Sequence, residues 1–297
     1  MTVRKHAATS AAMVALLILT ACGGGGGGGG TGPRTSSDDV RQQTGLAAPA
    51  ETPAAQRARS PGIIARTDSL IISTTYVETD DSRVPMLSLR SSCSGTRCTV
   101  TEPTSGYSDT LTISDLEDVN APVEAVGSKH GITLLAQSLL GEFWSFGAWM
   151  SHSGFAVQGV EGTVEGIRFV ARYGLAGGDL TGAAPTGSAT WRGLMVGTPA
   201  TGANLGDWLL GDAVLTYRLT GRSLDASFTG IRNVDRNAAH STATVSFTGV
   251  PVSSGGTYRA GITGNRIQGG FYGPGQAEAA GVFEQSNIVG AFGAKRQ

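Results

Sequence analysis

Cys22 is the residue whose neighbours most clearly suit it for chemistry. It closes the tetrad Leu19-Thr20-Ala21-Cys22, behind a positive pair, Arg4 and Lys5, and a short apolar run from Ala11 to Leu19. That run is too short to span a bilayer as a mature helix, so residues 1–21 read as a signal peptide. The tetrad resembles the bacterial lipobox. A small residue before the cysteine suits a signal peptidase that needs a slim chain, and the thiolate suits transfer of a diacylglycerol. The competing reading is an ordinary signal peptide with a chance cysteine. One acyl chain such as palmitate anchors only marginally, whereas several hold a protein stably on a membrane.

The other two cysteines form the segment Cys93-Ser-Gly-Thr-Arg-Cys98. An even pair around a central glycine, in an exported chain, reads as a disulfide closing a hairpin turn. Closing so small a loop contributes roughly 2 kcal/mol, less any strain. A redox-active pair is the sharper alternative, but such pairs favour closer spacing at a helix start. Zinc would need a second Cys or His pair, and none stands at ligand spacing.

Catalytic constellations do not emerge from the rest. His6 leaves with the signal peptide, and His130, His152 and His240 have no partner at ligand spacing. There is no Gly-x-Ser-x-Gly elbow and no phosphate loop ending in Gly-Lys-Ser/Thr. The sequence thus predicts no enzyme, no metal and no cofactor. Trp144, Phe146, Trp149 and Phe155 form an aromatic concentration. Trp144 and Trp149, with His152 beside them, are the candidate ligand-binding side chains. The competing reading makes those aromatics core.

Charge narrows the partners. Residues 62–186 carry 7 basic and 14 acidic side chains, and residues 187–297 carry 9 basic and 6 acidic. Neither shows the clustered Lys and Arg of a nucleic-acid surface. An acidic segment can meet a basic partner, or simply be well solvated.

These residues must be positioned by three stretches. Residues 22–61 open with the homopolymer Gly23–Gly30 and continue rich in Ala, Pro, Thr, Ser and Arg. That composition reads as a flexible tether with a reach of roughly 35 Å. Residues 62–186 hold irregular strand-like runs, Leu70–Tyr76, Met86–Thr101, Phe143–Gln158 and Gly166–Leu175, with one short helix expected near Thr133–Leu140. They read as a small β-rich handle subdomain packed against one end of a C-terminal barrel. Residues 187–297 hold eight short runs: Gly187–Gly197, Asp207–Leu219, Ser223–Asn233, Thr242–Val252, Gly256–Gly264, Arg266–Tyr272, Glu278–Gln285 and Asn287–Lys295. Period-two alternation is clearest where Ala243, Val245 and Phe247 oppose Thr242, Thr244, Ser246 and Thr248. Tight turns such as Gly273-Pro274-Gly275 join the runs. The fold class is mainly β: an eight-stranded antiparallel up-and-down β-barrel behind the handle. Gly269, Gly290, Ala226 and Ala243 inside leave room for Trp191, Phe228, Phe247, Phe271 and Phe292, which predicts a filled interior. Outward Thr, Ser, Asp and Arg exclude a membrane-spanning barrel.

The tail carries a resemblance. Gly270-Phe271-Tyr272-Gly273-Pro274, Ala277-Glu278, Gly281-Val282-Phe283 and Gly290-Ala-Phe-Gly-Ala-Lys295-Arg296 are similar to the end of the barrel domain of transferrin-binding protein B. Pro185-Thr-Gly187-Ser-Ala189-Thr190-Trp191-Arg-Gly193 resembles the first strand of that barrel, with Trp191 where the family usually has Tyr. Gly147-Ala-Trp149 resembles its handle. The resemblance implies an outer-membrane lipoprotein displayed at the cell surface, with a periplasm-facing placement as the alternative. It implies a partner that is a host or environmental protein or a nutrient, iron or haem related in the relatives, and a TonB-dependent receptor nearby. This chain has one lobe where that family has two. A structural or adhesive envelope protein is the alternative function.

Overall fold

The computed structural model describes residues 36–297 apart from 67–68, 80–81, 85–89, 95–96, 102–107, 113–122, 140–142, 165–166 and 263. The lipobox and Gly23–Gly30 lie outside the described residues.

Among the described residues two helices come first, where a structureless tether was expected. Helix α1 (Ser37–Thr44) is capped by Ser36, whose hydroxyl accepts the Asp39 N–H at 3.2 Å. It ends at Gly45, left-handed at φ 68°. Helix α2 (Pro53–Arg66) starts on proline behind Thr52, whose hydroxyl accepts the Ala55 N–H. The tether reading fails from Ser36 onward because a few side chains anchor the segment. Val40 and Leu46 are buried. Gln56 is 1% exposed; its amide donates to the Thr133 carbonyl at 2.7 Å and accepts the Trp149 N–H at 2.9 Å. Composition averages over such anchors and hides them.

The handle is larger than expected. Its strands are β1 (Ser69–Thr79), β2 (Ser82–Val84), β3 (Arg90–Ser94), β4 (Arg97–Thr101), β5 (Ser108–Thr112), β6 (Val123–Lys129), β7 (Ile132–Leu139), β8 (Phe143–Trp149), β9 (Ser153–Val164) and β10 (Ile167–Gly178). Seven form an antiparallel sheet in the order β2-β1-β10-β9-β8-β7-β6, and β3-β4-β5 form a second, small sheet. The helix expected near Thr133–Leu140 is strand β7. His130 and Gly131, both at positive φ (54° and 70°), make a tight hairpin turn after β6. The run then pairs on both sides, with β6 and β8, and those ladders override its local helix preference.

All eight C-terminal runs are strands. They are β11 (Ala189–Pro199), β12 (Leu209–Arg218), β13 (Ser223–Asn233), β15 (Thr244–Pro251), β16 (Thr257–Ile262), β17 (Asn265–Tyr272), β18 (Glu278–Gln285) and β19 (Ile288–Arg296), with a two-residue β14 (Ala238–Ala239) on the edge of β13. Each pairs with its sequence neighbour except β15 and β16, and β19 returns to β11. At the remaining gap β15 and β16 meet at the Val252–Tyr258 bridge and the Ser253 N–H to Thr257 carbonyl bond, 2.8 Å. Two residues of β15 explain why the ladder stops there. Pro251 has no N–H to donate. Gly249, at φ 65°, gives its N–H to the Asp225 carboxylate at 2.8 Å. Farther along the seam the Gln285 amide stands in for a strand. It accepts the Ser246 N–H at 3.2 Å and donates to Asn265 Oδ1 at 2.8 Å.

The barrel interior is filled by side chains. Phe228 stacks on Phe283 with ring centroids 4.5 Å apart and lies 5.0 Å from Phe292, while Trp191 stacks on Phe271 at 4.6 Å. Gly290 and Gly269 leave room for Phe283 and Tyr258, since a Cβ at either glycine would strike those rings. Ala243, expected inside, sits exposed just before β15. The outer wall is two-faced. Thr244, Ser246 and Thr248 face water, but Leu194, Val196, Ala280, Val282 and Ala291 are buried in one cluster with Phe146, Phe155 and Val157 of the handle.

One carboxylate gives the fold a pH signature. Glu284 is 1% exposed and paired with Arg266. Burial raises its pKa above the usual 4.5, against the opposing pull of Arg266 and the Gly264 N–H. The folded state therefore holds this proton more tightly than the unfolded one. Its contribution to stability is full below the ordinary glutamate value and falls as pH rises through the raised one. Denaturant titrations above pH 4.5 should show stability of the parent chain declining with pH relative to Glu284→Gln; equal slopes would contradict this.

Candidate binding surface

Strand β8 carries the aromatics singled out in the sequence and lies in the handle sheet facing the barrel. Trp144 is 7% exposed, with its indole over the bare backbone of Gly159, its cross-strand partner. Its ring is 6.1 Å from that of Trp208, which stacks on Phe146 at 4.8 Å and 5°. Trp144 is thus core and not an exposed anchor. Trp208 comes from the loop between β11 and β12 and had no sequence signal beyond its place beside a strand. Its N–H donates to Asp235 at 2.5 Å, which fixes the loop. Trp149 lies at the other end of β8, about 16 Å along the strand. It is half-buried over Gly154, and its carbonyl accepts from Arg59 at 3.1 Å. His152 is half-buried beside Gly273, where a Cβ would strike its ring. Trp149 and His152 flank one turn, and Trp144 stands apart from them.

That turn is held by the barrel. Glu278, at the start of β18, is 2% exposed. Its carboxylate accepts the N–H groups of Ser151 at 2.8 Å and His152 at 3.0 Å, and the Ser153 hydroxyl at 2.9 Å. Three further contacts fix the β6–β7 hairpin. Asp212 of β12 pairs with Lys129 at 2.6 Å and approaches His130 at 3.3 Å, and Lys295 donates to the Gly131 carbonyl at 2.5 Å. Gly293 is bare where Phe155 and Met150 of the handle press on the barrel wall. Much of the terminal motif is therefore the seat of the handle. The sequence placed Glu278 in the tail motif but assigned it no task. An acidic residue opening the apolar run Ala279–Phe283 was the available signal.

Where α1 crosses the end of the handle sheet, a pocket of about 250 Å³ opens. Val40 and Ser37 of α1 form one side, Val123, Glu124 and Val126 of the edge strand β6 another, and Ala136, Gln137 and Ser138 of β7 a third. Phe146 and Trp208 close the bottom. The Ser37 hydroxyl donates to the Glu124 carboxylate at the rim.

The cysteine pair falls on the small sheet, where the backbone register places Cys93 opposite Cys98 in the β3–β4 hairpin. Among the described residues no group of three or more His, Cys, Asp or Glu is arranged to hold a metal ion. No described helix is long and apolar enough to cross a membrane.

Residues 186–296 match the family model described as the C-lobe and N-lobe β-barrels of Tf-binding protein B. The barrel is similar to the barrels of that family. The match ends where the tail motif ends, and it starts just before β11. Solved structures similar to the chain include intact Ap-TbpB with its N and C lobes, at 14% identity and a TM-score of 0.38, covering 76% of this chain and 46% of that one. The N-lobe of lactoferrin binding protein B of Moraxella bovis is 12% identical, with a TM-score of 0.32 over 60% of this chain and 81% of that one. Isotype 1 transferrin binding protein B of serogroup B Neisseria meningitidis is 15% identical, with a TM-score of 0.35 over 76% of this chain and 43% of that one. The chain thus spans less than half the length of the two full transferrin-binding proteins. No curated protein matches it.

Glu278 yields a sharp expectation. In Glu278→Ala three donors of the handle turn lose their acceptor, and the buried Ser153 hydroxyl among them costs roughly 1–3 kcal/mol. Glu278→Gln keeps one acceptor oxygen and should lose less. Equilibrium denaturation should rank parent, Gln and Ala in that order. Limited proteolysis of the Ala variant should cut the handle while sparing the barrel. Equal stability of all three chains would remove Glu278 from its role as the clamp.

Proposed function

We propose that this chain is a lipid-anchored surface protein of the outer membrane that captures a protein or small nutrient ligand and performs no catalysis. The observation that carries the reading is the match of residues 186–296 to the barrels of Tf-binding protein B, on a chain whose Leu19–Cys22 tetrad resembles a lipobox. Cys22 carries the lipid. Residues 36–186 form the handle and its helical support, and residues 187–297 the barrel. Cys93 and Cys98, opposite each other in backbone register, form a disulfide. The relatives' names speak of transferrin and lactoferrin. For this chain a host iron protein is one ligand of the proposed class, and a TonB-dependent receptor is the partner that would receive the cargo.

The filled barrel argues that ligand meets the outer surface, on the handle and the loops at the barrel ends, and not a lumen. Trp149 and His152, half-exposed around the clamped turn, are the proposed contacts; Trp144, buried and apart from them, is not one. The burial of Trp144 favours a second reading, a structural or adhesive envelope protein, because it leaves less exposed aromatic area for an anchor.

Two measurements test this. Cys22→Ser should move the chain from the membrane fraction to the soluble one, and retention on the membrane would contradict lipidation. Cells carrying the parent chain should draw a reproducible protein or nutrient from host fluid that Cys22→Ser cells do not, with the chain removable by protease on intact cells. Protease resistance together with an empty capture would favour the structural reading.

A further inference from the structure

The pocket beneath α1 has a chemistry of its own. Phe146 and Trp208, stacked on each other, line it, and Val40 and Val126 add apolar walls. An aromatic or branched aliphatic body fits such a surface. At about 250 Å³ the pocket lies just under the usual range of roughly 300–1,000 Å³ for drug-sized ligands, so its occupant is small. Among the described residues Glu124 is the one charged side chain lining it. The carboxylate sits at the rim in reach of water and of the Ser37 hydroxyl. Asp38 and Asp39 lie in the first turn of α1, and that helix's cation, Arg41, pairs with Asp38 and donates to the Val126 carbonyl. The local field is negative, in a handle whose sequence is acidic overall.

We propose that this pocket binds a small organic cation, an amine carried on an aromatic or branched apolar body. The body lies against Phe146 and Trp208, and the ammonium group pairs with Glu124. The site needs all three parts of the fold, since α1, the handle edge and the barrel loop each supply one wall. Sequence inspection would not assemble it, because Val40, Glu124 and Trp208 are far apart in the chain. The proposal does not depend on the capture reading and stands or falls without it.

The test uses the full chain carrying Cys22→Ser, titrated calorimetrically with 2-phenylethylamine, 2-phenylethanol and phenylacetate, three probes with one ring and different charge. The amine should bind saturably, about tenfold or more tighter than the alcohol, and phenylacetate weakest. Glu124→Gln changes an exposed side chain and should bring amine and alcohol level. Ala136→Phe, which puts a ring into the pocket, should abolish binding while the far-ultraviolet spectrum stays that of the parent. Equal binding of the three probes, binding that survives Ala136→Phe, or no saturable amine binding at millimolar concentration would each overturn the proposal.

Discussion

A buried carboxylate holds this molecule together. Glu278 leaves the barrel wall and takes three donors from the handle turn at Ser151–Ser153. A charge that deep is costly unless its lone pairs are satisfied, so the handle cannot drift without leaving it exposed to that cost. The neighbouring surfaces are shaped to the same contact. Gly293 is bare so that Phe155 and Met150 can lie close, and Ala280, Val282 and Ala291 keep the wall flat and apolar beneath the handle. Asp212 and Lys295 fix the far hairpin. The handle and one side of the barrel share a single apolar cluster, so the two parts behave as one body.

This arrangement moves function outward. An eight-stranded barrel leaves an interior that side chains can fill, and Trp191, Phe228, Phe271, Phe283 and Phe292 fill it here. One side of the outer wall is spent on the handle. Ligands are left with the handle's outer surface, the loops at the barrel ends and the pocket beneath α1.

The barrel was legible because its signals are local. Alternation in β13 and β15, glycine turns and the Gly-Pro-Gly corner each act within a few residues. The seam between β15 and β16 was not legible, since it depends on Gly249 giving its N–H to Asp225 in another strand. The helices α1 and α2 were hidden by a composition that resembles a tether, although Ser36 with Asp39, Gly45 and the Thr52-Pro53 pair mark their ends. Strand β7 was misread as a helix because a short apolar run fits both periods, and only its partners decide. The candidate aromatics divided in the same way. Sequence placed Trp144 and Trp149 on one strand, but only the fold brings Trp208 over to bury the first and α2 to half-cover the second.

Hydrogen exchange tests the central claim, that Glu278 makes handle and barrel one cooperative body, most directly. The amides of Ser151 and His152 sit in a turn that would otherwise exchange by local opening. They should instead be protected to the same free energy as the β18 and β19 amides, and Glu278→Ala should collapse that protection in the turn first. Rapid exchange at Ser151 and His152 in the parent chain, with β18 and β19 still fully protected, would contradict it.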